Sequence, residues 1–211
     1  MSEFEEQNKA LVESLVALGV LETGRIIDAF LDAPRHLFVP EKYKGQAYRD
    51  IALPSIGGQT ISQPYTVATM LEALSPDPGD NVLDVGSGTG WTTCLLGKIV
   101  GKKGRVIGID IEPKLHEFAK KNIAKIDLKN LELVLGDARK GYSKNAPYHC
   151  ALINAACDKV PDKVEEQVIM GGRIVAPINS DGHQEMILFQ KIDEDEFTRT
   201  NLGTYVFVKL K

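Results

Sequence analysis

A chain of 211 residues, 43% apolar and 26% charged, can bury one sizeable core and is short for two, so a single domain over residues 1–211 is expected. Its 25 basic and 29 acidic residues leave a formal net charge of −4, without the positive field that holds a phosphate backbone, and nucleic acid is excluded as the default partner. Cys94, Cys150 and Cys157 are odd in number and lack a CxxC pair, no stretch approaches the roughly 20 apolar residues of a membrane span, and the acidic start lacks the basic region of a signal peptide, which argues against disulfides, zinc, membrane and export and favours the cytoplasm.

Phe4, Leu11, Leu15 and Leu18 recur at helical spacing, with Gly19 placed to end the helix. Thr23 is positioned to cap a second helix, GRIIDAFLD, which must stop before Pro34. The following stretch to Pro64 is broken by Pro and Gly and reads as a long ordered loop of the kind that is usually functional. Pro64 suits the first turn of a third helix through Val67, Met70, Leu71 and Leu74, which the SPDPGD turn ends. Residues 1–75 thus form a helical and loop extension to an α/β core over 76–211.

Beyond that turn, the apolar runs NVLDV, RVIGID, LELVLG and CALIN alternate with helical stretches at 91–100, 113–126 and 161–169. RIVAPI adds a fifth strand. This is the βαβ alternation of a mostly parallel sheet with helices on both faces. EMILFQKI and FTRTNLGTYVFVKL, separated by DEDE, read as antiparallel strands at its C-terminal edge.

The segment Val82 to Gly90, VLDVGSGTG, is a strand running into a glycine-rich turn that opens a helix. Gly86, Gly88 and Gly90 permit a tight turn and close approach of a ligand, with Ser87 and Thr89 between them, while the helix start offers unpaired N–H groups. The order GxGxG puts Trp91 where a dinucleotide fingerprint has its last glycine, which disfavours NAD. Asp84 beside the turn repels a pyrophosphate but suits a cationic sulfonium ligand bearing an amino group, which favours S-adenosyl-L-methionine. Asp110 closes the next strand, where a carboxylate can take both ribose hydroxyls, or else cap the helix before Pro113. Asp137 ends the third strand, available to an adenine amino group or to solvent. For the glycines alone, an ordinary strand-to-helix turn is the simpler reading.

VLDVGSGTGWTT with Asp110 resembles the nucleotide half of Rossmann-like class I S-adenosylmethionine-dependent methyltransferases. APRHLFVP, QAYRDIALP and above all GGQTISQPYTVATMLEAL resemble the protein-L-isoaspartate O-methyltransferase family, as does the stretch from Gly136 to Ile178. The likeness spans about Ala33 to Ile178, and TISQP is its most specific element. It implies a seven-stranded sheet and transfer of methyl from S-adenosyl-L-methionine, leaving S-adenosyl-L-homocysteine, to the α-carboxylate of L-isoaspartyl residues in damaged proteins and peptides. The implied enzyme is a cytoplasmic monomer that engages neither nucleic acid nor membrane. On the resemblance, Ser62 is the active-site serine, an orienter and not a nucleophile, with Gln59, Thr60 and Ile61 in a covering loop. Ile111, Gly136 and Ala138 join the cofactor contacts.

Several features admit a plainer account. Ser62 also suits a helix N-cap before Pro64, His36 a packed side chain, Trp91 and Phe38 structural anchors, and Lys98, Lys102, Lys103 and Arg105 a solvated cationic face. The sequence departs from the family at His149, where an aspartate is usual, and at Cys157 and Lys209, where prolines are usual. Other readings remain: a methyltransferase of transfer RNA or a small molecule, or a cofactor-binding relative without turnover.

Overall fold

The computed structural model describes residues 2–211. Helices α1 (Glu3–Ala17), α2 (Gly24–Asp32) and α3 (Pro64–Leu74) occupy the N-terminal third, with a short hairpin of β1 (Leu53–Pro54) and β2 (Thr60–Ile61) between α2 and α3. The remainder alternates as β3 (Asn81–Val85), α4 (Trp91–Val100), β4 (Arg105–Asp110), α5 (Pro113–Ile123), β5 (Leu131–Leu135), β6 (Tyr148–Ile153), α6 (Asp162–Glu165), β7 (Val168–Ser180), β8 (His183–Lys191) and β9 (Phe197–Tyr205). The order β5-β4-β3-β6-β7-β8-β9 makes one seven-stranded sheet, parallel through β7 and antiparallel from β7 to β9.

Successive residues of a strand face opposite sides of a sheet, and the core divides accordingly. Val82, Val106 and Leu152 face a cluster with α1 to α4, whereas Leu83, Ile107 and Ile153 face one containing Val164 of α6. The first cluster joins Leu11, Phe30 and Leu71 to Trp91, Leu95 and Val175, so one apolar core spans residues on both sides of position 75.

The boundaries of β3, β4, α2 and α4 agree with the sequence reading, RIVAPI is the middle of the longer β7, and three further differences stand out. The helix from Pro113 stops at Ile123, its continuation tightening into turns in which Lys125 and Ile126 donate to Asn122 and Ile123. The expected helix over 161–169 shrinks to α6. Val160, Val164 and Val168 have helical spacing, but the third reaches the same cluster from β7, where it pairs with Tyr148. Third, strand character in the tail ends at Tyr205; residues 206–211 turn back and pair with Ala156, clamped by the Gln184 amide, which accepts from the Phe207 N–H at 2.6 Å and donates to its carbonyl at 3.2 Å.

Candidate active site

The sheet changes direction of winding at β3, between β4 and β6, where an open α/β sheet forms a crevice at its strand ends. A cleft of about 810 Å³, counting the part open to solvent, lies there. The turn after β3 forms its floor: Gly86, Gly88 and Gly90 have φ of 75°, 55° and 85°, a region costly for other residues. The N–H groups of Gly86 and Ser87 donate to the Ile109 carbonyl, tying the turn to β4.

Asp84 is fully buried beneath this turn and does not reach the cleft. Its carboxylate accepts from Thr92 Oγ1 at 2.9 Å, Thr93 Oγ1 at 2.5 Å and Asn154 Nδ2 at 2.6 Å. Burial outweighs these bonds and pushes its pKa up to about 6. The acid expected to meet the ligand instead orients two residues that line the cleft, Thr92 and Asn154. Asn154 Oδ1 is buried without a hydrogen-bond partner, an acceptor that a ligand ammonium would satisfy.

Asp110 lines the cleft, but both carboxylate oxygens already accept backbone N–H groups, from Gly88 and from Glu112, each at 2.9 Å. Those bonds fix its rotamer and leave lone pairs for hydroxyl donors. It is not the cap of α5; Glu112 is, accepting from the Lys114 N–H, and Glu112 adds a second carboxylate to the same wall. Asp137 turns aside: Arg139 Nε and Nη2 grip its oxygens at 2.8 and 2.9 Å and hold it below the usual carboxylate range. Gly90 is the buried N-cap of α4, and Gly136 donates its N–H to the Asp110 carbonyl. Asp84 is therefore support behind the cleft wall, and Gly90, Gly136 and Asp137 are not among the residues that line it. Gly86, Ser87, Gly88, Thr89, Asp110, Ile111 and Ala138 stand on it.

Gln59, Thr60, Ile61 and Ser62 line the opposite side. Ser62 is not a helix cap: Gln63 holds that position without a side-chain bond, and Asp50 reaches across to accept the Tyr65 N–H at 2.8 Å. The loop bearing Ser62 hangs on Arg35, 1% exposed, whose guanidinium donates to the carbonyls of Ala47, Arg49, Ile51, Ile61 and Ser62 at 2.8, 3.4, 3.0, 3.4 and 2.9 Å. Arg35 also lies 5.2 Å from the centre of the Trp91 ring, and burial draws its pKa down to about 10, still protonated at neutral pH. Trp91 anchors the region through Nε1–H to the Ala33 carbonyl and lines the cleft as well.

His36, Phe38, Lys98 and Arg105 follow their plainer readings, whereas Ser62 does not. His36 stacks on Phe4 at 4.3 Å and bonds Tyr48 through Nδ1. Phe38 is buried core, Lys98 pairs with Asp32 and Arg105 with Glu132. His149 accepts the Asn81 N–H at the opposite end of the sheet. Cys157 donates its N–H to the Pro177 carbonyl, a bond proline cannot make. The three cysteines are free and buried, and burial pushes each thiol up to about 12.

Sequence reasoning missed Asn154, Glu112, Arg35 and the tail residues Val208 to Lys211, all but Arg35 on the wall. Asn154 was within reach of the rule that found the three aspartates, a polar residue closing a parallel strand. Arg35 was not, because its partners lie 12–27 residues away.

The cleft suits S-adenosyl-L-methionine: paired acids face the side where ribose hydroxyls would bind, the glycine turn bares backbone, and Asn154 Oδ1 is an unmet acceptor. A family model described as protein-L-isoaspartate(D-aspartate) O-methyltransferase matches residues 6–211. The chain is 39% identical over 208 residues to the protein-L-isoaspartate O-methyltransferase of Methanopyrus kandleri, covering 98% of this chain and 92% of that one. A solved protein-L-isoaspartate O-methyltransferase superposes with a TM-score of 0.88 and 31% identity over 96% of this chain, which spans 65% of that longer chain. The crystal structure of such a protein from Plasmodium falciparum, in complex with S-adenosyl-L-homocysteine, gives a TM-score of 0.86 at 22% identity over 97% of this chain and 98% of that one, a likeness of fold.

Proposed function

This chain belongs to the protein-L-isoaspartate O-methyltransferase family, and from that premise we propose how its cleft carries out carboxyl methylation. The protein is an S-adenosylmethionine-dependent enzyme that esterifies the free α-carboxylate of L-isoaspartyl residues in damaged proteins, leaving S-adenosyl-L-homocysteine. The observation that carries the reading is that Ser62, on the loop held by Arg35, and the glycine turn line one cleft.

When bound, S-adenosyl-L-methionine supplies an electrophilic methyl group on a sulfonium. Asp110 and Glu112 would hold the ribose, and Asn154 Oδ1 the ammonium, its amide fixed by Asp84. Gly86 to Thr89 form the floor beneath it. The acceptor carboxylate is ionised at neutral pH, so no general base is needed. The Ser62 hydroxyl donates to that carboxylate and aims one oxygen, without the charge neutralisation that would blunt it. Gln59, Thr60 and Ile61 exclude water from the reacting pair. Positioning of this kind accounts for large rate factors in bimolecular transfer.

We further propose that the enzyme works as a cytoplasmic monomer without nucleic-acid or membrane partners, supported by its net charge of −4. Among the described residues, no helix is long and apolar enough to cross a membrane. The test is transfer of labelled methyl to a synthetic isoaspartyl peptide, with the aspartyl isomer as control and Ser62→Ala in parallel. Base-labile label in the isoaspartyl peptide alone, much reduced in the variant, is expected. Cofactor binding with no transfer to any isoaspartyl peptide would overturn the assignment.

A further inference from the structure

The charged side chains on the cleft wall are Asp110, Glu112, Lys209 and Lys211, and they are segregated. Asp110 ends β4 and Glu112 follows it, on one side of β3. The lysines come from the returning tail, fixed where Ala156 donates to the Val208 carbonyl and accepts the Leu210 N–H, both at 2.8 Å. Ala156 follows β6, on the other side of β3. With strands about 4.8 Å apart, the ends of β4 and β6 are separated by about 10 Å. Acid therefore marks the nucleoside end and cation the opposite rim.

Lys209 is exposed, and no salt bridge among the described residues engages it. Both ends of its backbone are nonetheless held, through the Ala156 bridge and the Gln184 clamp on Phe207. The charge is thus presented from a backbone segment held on both sides, on the wall of the cleft that Ser62 also lines.

We propose that Lys209, reinforced by Lys211, is a specificity-determining residue that selects isoaspartyl substrates with Asp or Glu within two residues of the reacting site and disfavours Lys or Arg there. The inference rests on the acceptor class proposed above. An exposed ion pair at such a rim is worth about twofold to fivefold in affinity per flanking charge, and salt weakens it.

The experiment compares fluorescein-labelled isoaspartyl peptides differing only in two flanking positions, Glu or Lys, by anisotropy with protein saturated in S-adenosyl-L-homocysteine, and by methyl transfer. The Glu-flanked peptide should bind about fourfold to 25-fold more tightly at low salt, the product of two flanking charges. Lys209→Glu should abolish or reverse that ratio. Lys102→Glu, with the same change in net charge in the turn beyond the far end of α4, should preserve it. A ratio near one in the unaltered protein, or one equally affected by both variants, overturns the rim. Binding that follows flanking charge without transfer to any peptide would instead overturn the acceptor reading, so the two failures are distinguishable.

Discussion

Replacing Arg35 by Met removes the guanidinium while keeping much of the aliphatic volume. Five carbonyls lose their donor. The contacts to Ala47 and Ile61 are buried, whereas those to Arg49, Ile51 and Ser62 are partly accessible and can be rehydrated. Two stranded buried acceptors cost about 1–3 kcal/mol each, and relief from burying a charge offsets part of this. A net loss of about 3 kcal/mol is expected. At roughly 2–4 °C per kcal/mol for a chain of this size, that is a fall in Tm of about 6–12 °C. Arg35→Lys keeps the charge, but its three donors cannot serve five carbonyls, so stability should lie between that of Met and Arg. Because Ile61 and Ser62 are among the carbonyls released, kcat for the peptide should fall in both variants by a larger factor than S-adenosyl-L-homocysteine affinity measured by calorimetry. Urea unfolding with unchanged m-value reads the stability term. A loss under 1 kcal/mol for Met, or a kcat unchanged when stability has fallen, would refute the account of Arg35 as the support of the loop.

Ser62→Ala should leave stability within about 0.5 kcal/mol, because Ser62 does not cap α3, while lowering kcat; parallel thermal melts and methyl-transfer rates test this. Asp84 titrates higher in the folded protein than the ordinary 3.8, near 6, so the native state holds its proton longer and this group's contribution to stability falls as pH rises from about 4 to 6. Asp84→Asn should remove that decline, a difference of about 3 kcal/mol across the window, read by denaturant titration of both proteins at each pH. Gly108→Ala would place a Cβ 2.8 Å from Thr93 Oγ1 and 3.0 Å from Ser87 Cβ, pressing on the Asp84 network and the cleft floor together. It should cost about 1–3 kcal/mol and weaken cofactor binding, both measurable by calorimetry.

The parallel core was legible because its signal is local. NVLDV and RVIGID are short apolar runs between turn residues, and each became a strand with the expected limits. The glycine turn carried its own conformational demand. Side-chain roles were less legible, since two residues can share a strand end and point to different sides. Asp84 and Asp110 both follow the expected rule, yet Asp84 faces the start of α4 and Asp110 the cleft. Thr23 stands at the start of α2 as expected, but its hydroxyl donates to Glu72 of α3 and not to its own helix. The loop before α3 was legible only as ordered. Its organisation rests on Arg35 and Asp50, whose partners come from distant positions that no period in the sequence marks.

The apolar cluster that crosses position 75 sets the kind of motion turnover can use. Swinging the N-terminal helices away as a rigid lever would bare Leu11, Phe30, Leu71 and Trp91 together, at an apolar cost comparable to much of a domain's stability. Residues 55–60 carry no such burden, none of them belonging to that cluster. They are tethered by the two-residue ladder of β1 and β2, and Gly57 and Gly58 sit at φ of 68° and 74°, with Gly57 against the Glu112 side chain. Entry and release would then be the business of a flap a few residues long, peeling from the wall that holds the nucleoside while the rest of the molecule stays still.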